Sequence, residues 1–134
     1  MPFVRNHTAP GGIMELHTAR IFVQDLGDAA RFYEQTLGLP LKADGREHGY
    51  CVFGSGPLSL VVERVDEDAP TEDQVLVGRF TGLSFDVKDI DAKYKELSSL
   101  GVAFSGLPER QQWGGILATL RDPAGNEIQI VQQP

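Results

Sequence analysis

One cysteine, Cys51, is the whole of this chain's thiol content. No internal disulfide can form, so nothing points to an oxidising compartment or a disulfide-stapled scaffold. Neither a base nor a helix start stands beside Cys51 to lower its pKa, and it reads as an inert strand residue. Long apolar runs are also missing. No segment approaches the roughly 20 apolar residues of a membrane span. Residues 1–13, which mix Arg5, Asn6, His7, Pro10, Gly11 and Gly12, lack the apolar stretch of a signal peptide. These absences predict a soluble, cytoplasmic protein with no membrane partner.

Positive charge is scarce as well. The chain carries 12 Lys and Arg against 19 Asp and Glu, a net charge of -7, and no basic cluster is dense enough to hold a phosphate backbone. Nucleic acid is therefore not expected as a partner. No Gly-rich loop ends in Lys followed by Ser or Thr, and no Gly-x-Ser-x-Gly elbow occurs. The 3 histidines stand in no nucleophile arrangement. Phosphate-transfer and serine-hydrolase readings fall away.

What the chain does have is a repeat. Ile21-Phe22-Val23-Gln24-Asp25-Leu26 is echoed by Phe85-Asp86-Val87-Lys88-Asp89-Ile90, and each copy runs from an apolar strand through Asp into a helix that stops at Leu-Gly, first Leu37-Gly38 and then Leu100-Gly101. After the strand Glu15–Val23, the first helix is expected over 27–37, with Ala29, Phe32, Tyr33 and Leu37 on one face. Extended runs follow near 41–43, 50–53 and 58–65, separated by turns at Asp44-Gly45 and Gly54-Ser55-Gly56-Pro57. The acid-rich stretch Asp66–Asp73, with Pro70, reads as a solvated linker. The second copy repeats the order: a strand at 80–87, a helix with Ile90, Tyr94, Leu97 and Leu100 on one face, and strands near 104–107, 115–120 and 127–131. Asp122-Pro123-Ala124-Gly125-Asn126 is the last tight turn, and turn chemistry is the first role expected of Asp122 and Asn126. The fold class is thus α+β, two tandem βαβββ units forming paired curved sheets around a cleft. Residues 1–13 are a flexible arm or extension, and 14–134 form one domain, with units near 14–66 and 78–132 and a linker at 67–77.

Strand alternation assigns the faces. Ala19, Ile21, Val23, Leu60 and Val62 suit the helix-covered side of the first unit, which leaves Thr18, Arg20, Phe22, Ser59, Val61 and Glu63 on the other. In the second unit Leu83, Phe85, Val87, Ile128 and Ile130 suit the covered side, which leaves Gly82, Ser84, Asp86, Glu127, Gln129 and Val131. Two sheets meeting through those uncovered faces would enclose a pocket lined by Arg20, Glu63, Asp86 and Gln129. Arg20, a long cation on an apolar strand, needs an anion, with Glu63 or Asp86 as candidates in the chain and a ligand carboxylate, phosphate or polarised carbonyl as the functional alternative. Trp113, between Gln111-Gln112 and Gly114-Gly115, is placed to stack on a planar ligand or to pack at the sheet rim. Tyr33 and Tyr94 read as core, and His7 and His48 as exposed.

The two Val-x-Asp motifs, Arg31-Phe32-Tyr33, Leu37-Gly38-Leu39, Trp113-Gly114-Gly115 and the 122–126 turn together resemble the vicinal oxygen chelate superfamily, which includes glyoxalase I, bleomycin resistance proteins and extradiol dioxygenases. The resemblance spans Glu15 to Gln132. It implies this fold, a small-molecule ligand and a homodimer, but not one chemistry, since one fold serves unrelated activities. Metal-dependent members of the superfamily ligate a divalent ion from the first and last strands of each unit. Carried onto this sequence by spacing, those positions are Thr18, Glu63, Gly82 and Gln129, a poor donor set for a first-row ion. A one-residue bulge would bring His17 in place of Thr18 and make half a site with Glu63.

The expectation is therefore a protein with no metal or other cofactor that binds a small organic molecule through Arg20, Phe22, Glu63, Ser84, Asp86, Trp113 and Gln129. Two enzyme readings stand beside it. One is a lyase, isomerase or dioxygenase holding a divalent metal ion on His17 and Glu63. The other uses Glu63 as a base, with Arg20 stabilising an enolate. A third reading is an idle module whose open faces only dimerise.

Overall fold

Asp25 and Asp89 begin the two halves alike. Each is extended, and each accepts a hydrogen bond from the backbone N–H three residues on, Asp28 at 3.0 Å and Ala92 at 3.1 Å. This is the side-chain capping that the first turn of a helix requires. The computed structural model describes residues 10–134; His7 and the rest of 1–9 lie outside the described residues. The first unit comprises β1 (Thr18–Val23), α1 (Leu26–Arg31), β2 (Leu41–Gly45), β3 (Tyr50–Ser55) and β4 (Leu58–Arg64). The second follows a one-turn helix α2 (Thr71–Gln74) and comprises β5 (Phe80–Asp86), α3 (Ile90–Ser99), β6 (Ala103–Phe104), β7 (Glu109–Arg110), β8 (Ile116–Arg121) and β9 (Glu127–Gln132). Gly38 and Gly101 close the two helical segments with φ of +77° and +88°, the left-handed position that the Leu-Gly stops foretold.

Among the described residues the sheets are two: β1-β4-β3-β2 and β5-β9-β8-β6, with β7 hydrogen-bonded to β8. In both, the first strand runs parallel to the last, and the remaining pairs are antiparallel. The βαβββ order is thus present twice, as the repeat implied.

Local boundaries depart from the sequence reading in several places: the first strand begins at Thr18 and not at Glu15, and Gly54 and Ser55 belong to β3, which leaves Gly56-Pro57 as the turn. Asp44-Gly45 is not a turn: both residues belong to β2, and the chain reverses through the 3₁₀ turn Arg46–His48, which ends at Gly49 with φ +87°. The Asp44 carboxylate accepts from the Arg46 backbone and guanidinium, and those hydrogen bonds hold its pKa down at about 2. The first helix changes to π geometry over Phe32–Thr36. The 67–77 linker contains α2, whose Gln74 amide donates to the carbonyls of Asp66 and Glu67, and its Val77 bridges Phe22 of β1. The strand expected at 104–107 stops at Phe104, and a separate short strand forms at 109–110.

The core joins the units through their helix-covered faces. Ile21, Val23, Tyr33, Phe53 and Val62 of the first unit and Ile90, Leu97, Leu120, Ile128 and Ile130 of the second form one buried cluster. Tyr33 is core as expected, and Tyr94 packs on Phe104 with ring centroids 4.6 Å apart. Burial follows the alternation read from β1, β4 and the first four residues of β9, because a covered sheet face admits the apolar set; Val131, read onto the uncovered face, is instead buried.

Candidate functional site

On the first sheet, register places Arg20 beside Val61 and Val61 beside Val52, while Phe22, Glu63 and Tyr50 form the neighbouring row. Arg20 Nε approaches Glu63 Oε1 at 3.6 Å, with the two side chains 53% and 41% exposed. The ion pair that Arg20 needed is therefore formed with Glu63, but at the surface and not in a buried pocket. At 3.6 Å the contact is too long for a good hydrogen bond, and among the described residues no hydrogen bond engages the guanidinium. The floor around it is apolar: Phe22, Val52 and Val61 are half-buried. The Tyr50 ring lies directly over Gly45, where a Cβ would sit 2.4 Å from the ring. Tyr50, opposite Glu63 in the ladder, thus belongs to the open face.

The second sheet carries a polar row across three strands. Ser84 Oγ donates to Gln129 Oε1 at 3.4 Å, and Gln129 Nε2 donates to Thr119 Oγ1 at 3.2 Å. Asp86 accepts from Gln133 at 3.0 Å. Trp113, 49% exposed, lies over Gly115 so closely that a Cβ there would sit 1.9 Å from the indole. Gly115 precedes Leu117 and Thr119 at alternate positions of β8, so the indole covers the same face as the polar row. Thr119, Gln133 and Tyr50 were missing from the sequence-derived site. The signal for Tyr50 was Gly45 within β2, and for Trp113 it was Gly115 just ahead of β8, each bare backbone that a neighbouring ring covers.

The structure brings Arg20, Phe22 and Glu63 together on one sheet, and Ser84 and Gln129 on the other with Asp86 and Trp113 nearby. Among the described residues, no hydrogen bond or ion pair joins the first group to the second. A cavity of about 780 Å³ instead lies at the junction of the units, and Ser84 and Asp86 line it while Arg20 and Glu63 do not.

The superfamily's divalent ion does not fit this donor set. β1 pairs with β4 without a register shift from Thr18 to Val23, so Thr18 and not His17 occupies the open-face position opposite Ser59. The His17 ring is engaged by the Thr18 hydroxyl at 2.6 Å. Gly82 offers no side chain and sits in an irregular stretch of the β5–β9 ladder with φ +75°. Gln129 is held within its polar row, and Glu63 faces a cation. Among the described residues, no three of His, Cys, Asp and Glu gather as a metal-binding group.

Comparison with known proteins follows this architecture. The uncharacterized protein YraH of Bacillus subtilis (strain 168) is 30% identical over 125 residues, covering 87% of this chain and 97% of its own. The crystal structure of a member of the glyoxalase, bleomycin resistance protein and dioxygenase superfamily from Sphaerobacter thermophilus DSM 20745 superposes with a TM-score of 0.74 at 29% identity, over 90% of this chain and 98% of that one. TnmS3, an antibiotic binding protein from Streptomyces sp. CB03234, gives a TM-score of 0.73 at 30% identity, over 91% and 98% of the two chains. The family profile described as Glyoxalase/Bleomycin resistance protein/Dioxygenase superfamily matches residues 15–130, and the chain belongs to that superfamily.

Proposed function

We propose that this chain is a metal-free small-molecule-binding protein of the superfamily, in which Arg20 anchors an organic ligand on an open sheet face. The observation that carries the reading is the Arg20–Glu63 pair: a half-exposed guanidinium, loosely held at 3.6 Å and set on Phe22, Val52 and Val61. A ligand carboxylate or polarised carbonyl gains a charge-assisted hydrogen bond there, and its apolar body gains contact with the floor. Phe22 supplies apolar surface, and Glu63 orients the guanidinium. On the other sheet Ser84 and Gln129 offer hydrogen-bonding groups, Trp113 offers a stacking surface, and Asp86 lies beside the inter-unit cavity. The likeness to an antibiotic binding protein supports a receptor that sequesters its ligand. Lone Cys51 suits a cytoplasmic location. We read the working form as a homodimer.

The test is a titration against a panel of antibiotics, bleomycin included, in the presence of EDTA, following the fluorescence of Trp113, the chain's one tryptophan. The reading predicts saturable binding by at least one compound, weakened about tenfold or more in Arg20→Ala, equivalent to about 1.4 kcal/mol. Binding that appears only when a divalent ion is added would overturn it.

A further inference from the structure

The covered faces of the two units are not equally filled. Ile21 and Val23 of β1 are buried, whereas their counterparts in the repeat, Phe85 and Val87 of β5, are only half-buried. The space beside them is a cavity of about 180 Å³ between β5, α3 and the 37–39 segment, walled by Leu37, Leu39, Phe85, Val87, Leu97 and Leu120. A cavity of roughly 150 Å³ with walls of this kind stays dry and takes one benzene ring. Leu39 and Phe85 also line the inter-unit cavity of about 780 Å³, so the narrow apolar space continues the wide one.

Three charged side chains stand on these linings: Lys42 on the wide cavity, Lys93 on the narrow one and Asp86 on both. Asp86 accepts from the Gln133 amide at 3.0 Å, and the Lys93 ammonium lies 2.6 Å from a Glu96 carboxylate oxygen. Lys42 is different. Its stem crosses the backbone of Gly54, where a Cβ would sit 2.7 Å from Lys42 Cε, and among the described residues no ion pair takes its ammonium. Gly54 is thus the bare strand position that lets a cation lie along the lining of an apolar cavity. An incoming carboxylate gains a charge-assisted contact there, whereas an incoming ammonium meets two lysines and a carboxylate already engaged.

We propose that the inter-unit space is a second binding site, for an arylalkanoate: one aromatic ring seated in the narrow cavity against Leu39, Phe85 and Leu97, and a carboxylate held by Lys42 in the wide one. Ring burial supplies affinity, and the single cation fixes orientation. Arg20, Phe22 and Glu63 line neither cavity. The inference therefore goes beyond the Arg20 reading and does not rest on it.

The test is isothermal titration calorimetry of the full chain with 3-phenylpropanoate, and with 3-phenylpropylamine as the charge-reversed control. One saturable site is expected for the acid, with the amine bound at least about tenfold more weakly, the scale of one charge-assisted contact. Lys42→Gln, a change at an exposed position, is expected to weaken the acid about tenfold as well. Leu39→Trp fills the passage between the cavities from a half-buried position outside any strand, and is expected to abolish binding with circular dichroism unchanged. Arg20→Ala should bind the acid as the parent does. No binding by the parent, equal binding of acid and amine, or unchanged affinity in Lys42→Gln or in folded Leu39→Trp would each overturn the proposal. Loss of the acid in Arg20→Ala would overturn it too, since the probe would then sit on the open sheet face. The antibiotic titration read through Trp113 stands or falls separately.

Discussion

The Tyr33 hydroxyl donates a 2.7 Å hydrogen bond to the Asp122 carboxylate across 89 residues of sequence, and so the helix of the first unit is tied to the last turn of the second. Asp122 also accepts from the Ala124 and Asn126 backbone and from the Asn126 amide. Asn126 in turn accepts from Gly78 and donates to the Phe22 carbonyl. The turn thus clasps both units near the end of β1. Because the carboxylate is buried, removing one donor is costly: Tyr33→Phe is expected to lower stability by about 1–3 kcal/mol, read from urea midpoints.

Tyr33 also sets a limit at high pH. Burial, reinforced by the Asp122 charge, raises its pKa well above the ordinary 10.0, so the folded state keeps a proton that the unfolded state releases. The stabilisation is complete below pH 10 and falls as pH rises further. The urea midpoint of the parent should therefore drop steeply above pH 10, and that of Tyr33→Phe less steeply.

Arg20 and Glu63 are expected to matter for binding and not for folding. An exposed pair at 3.6 Å contributes little. Arg20→Ala and Glu63→Gln should each change stability by under about 1 kcal/mol. Thermal denaturation beside the antibiotic titration separates the two effects.

Gly115 holds open the space that Trp113 occupies. A methyl group there collides with the indole, so Gly115→Ala is expected to push the ring off the sheet and into water. Since Trp113 is the only tryptophan, the emission maximum should move to the red, and the backbone, whose φ at Gly115 is not left-handed, should tolerate the change.

Cys51 is fully buried, and its thiol pKa is raised, first by burial and then by the Asp44 charge. It should react with a thiol reagent at neutral pH slowly in the native protein and rapidly in urea.

Strand faces were legible in the sequence because a period-two pattern survives any change in how the units pack: Ile21, Val23, Leu60, Val62, Ile128 and Ile130 turned inward as their alternation required. Asp25, Asp89, Gly38 and Gly101 carried the helix ends, since caps and left-handed positions depend on neighbours in the chain. Long-range relationships left no such mark. Tyr33 looked like any core tyrosine, and the Asp122 and Asn126 turn gave no sign that it holds the other unit. The sequence pattern also grouped Arg20 with Asp86 and Gln129, because parity says which face a residue takes but not which faces meet. In the fold the helix-covered faces share the core, and Arg20 finds its partner within its own sheet.

The register of β1 decides whether an ion has a seat, and metal analysis of protein purified without chelator tests it most directly. With Thr18 at the open-face position and Glu63 facing Arg20, the account predicts no stoichiometric zinc, nickel, iron or manganese. One tightly held ion per chain, lost together with His17→Ala or Glu63→Gln, would contradict it.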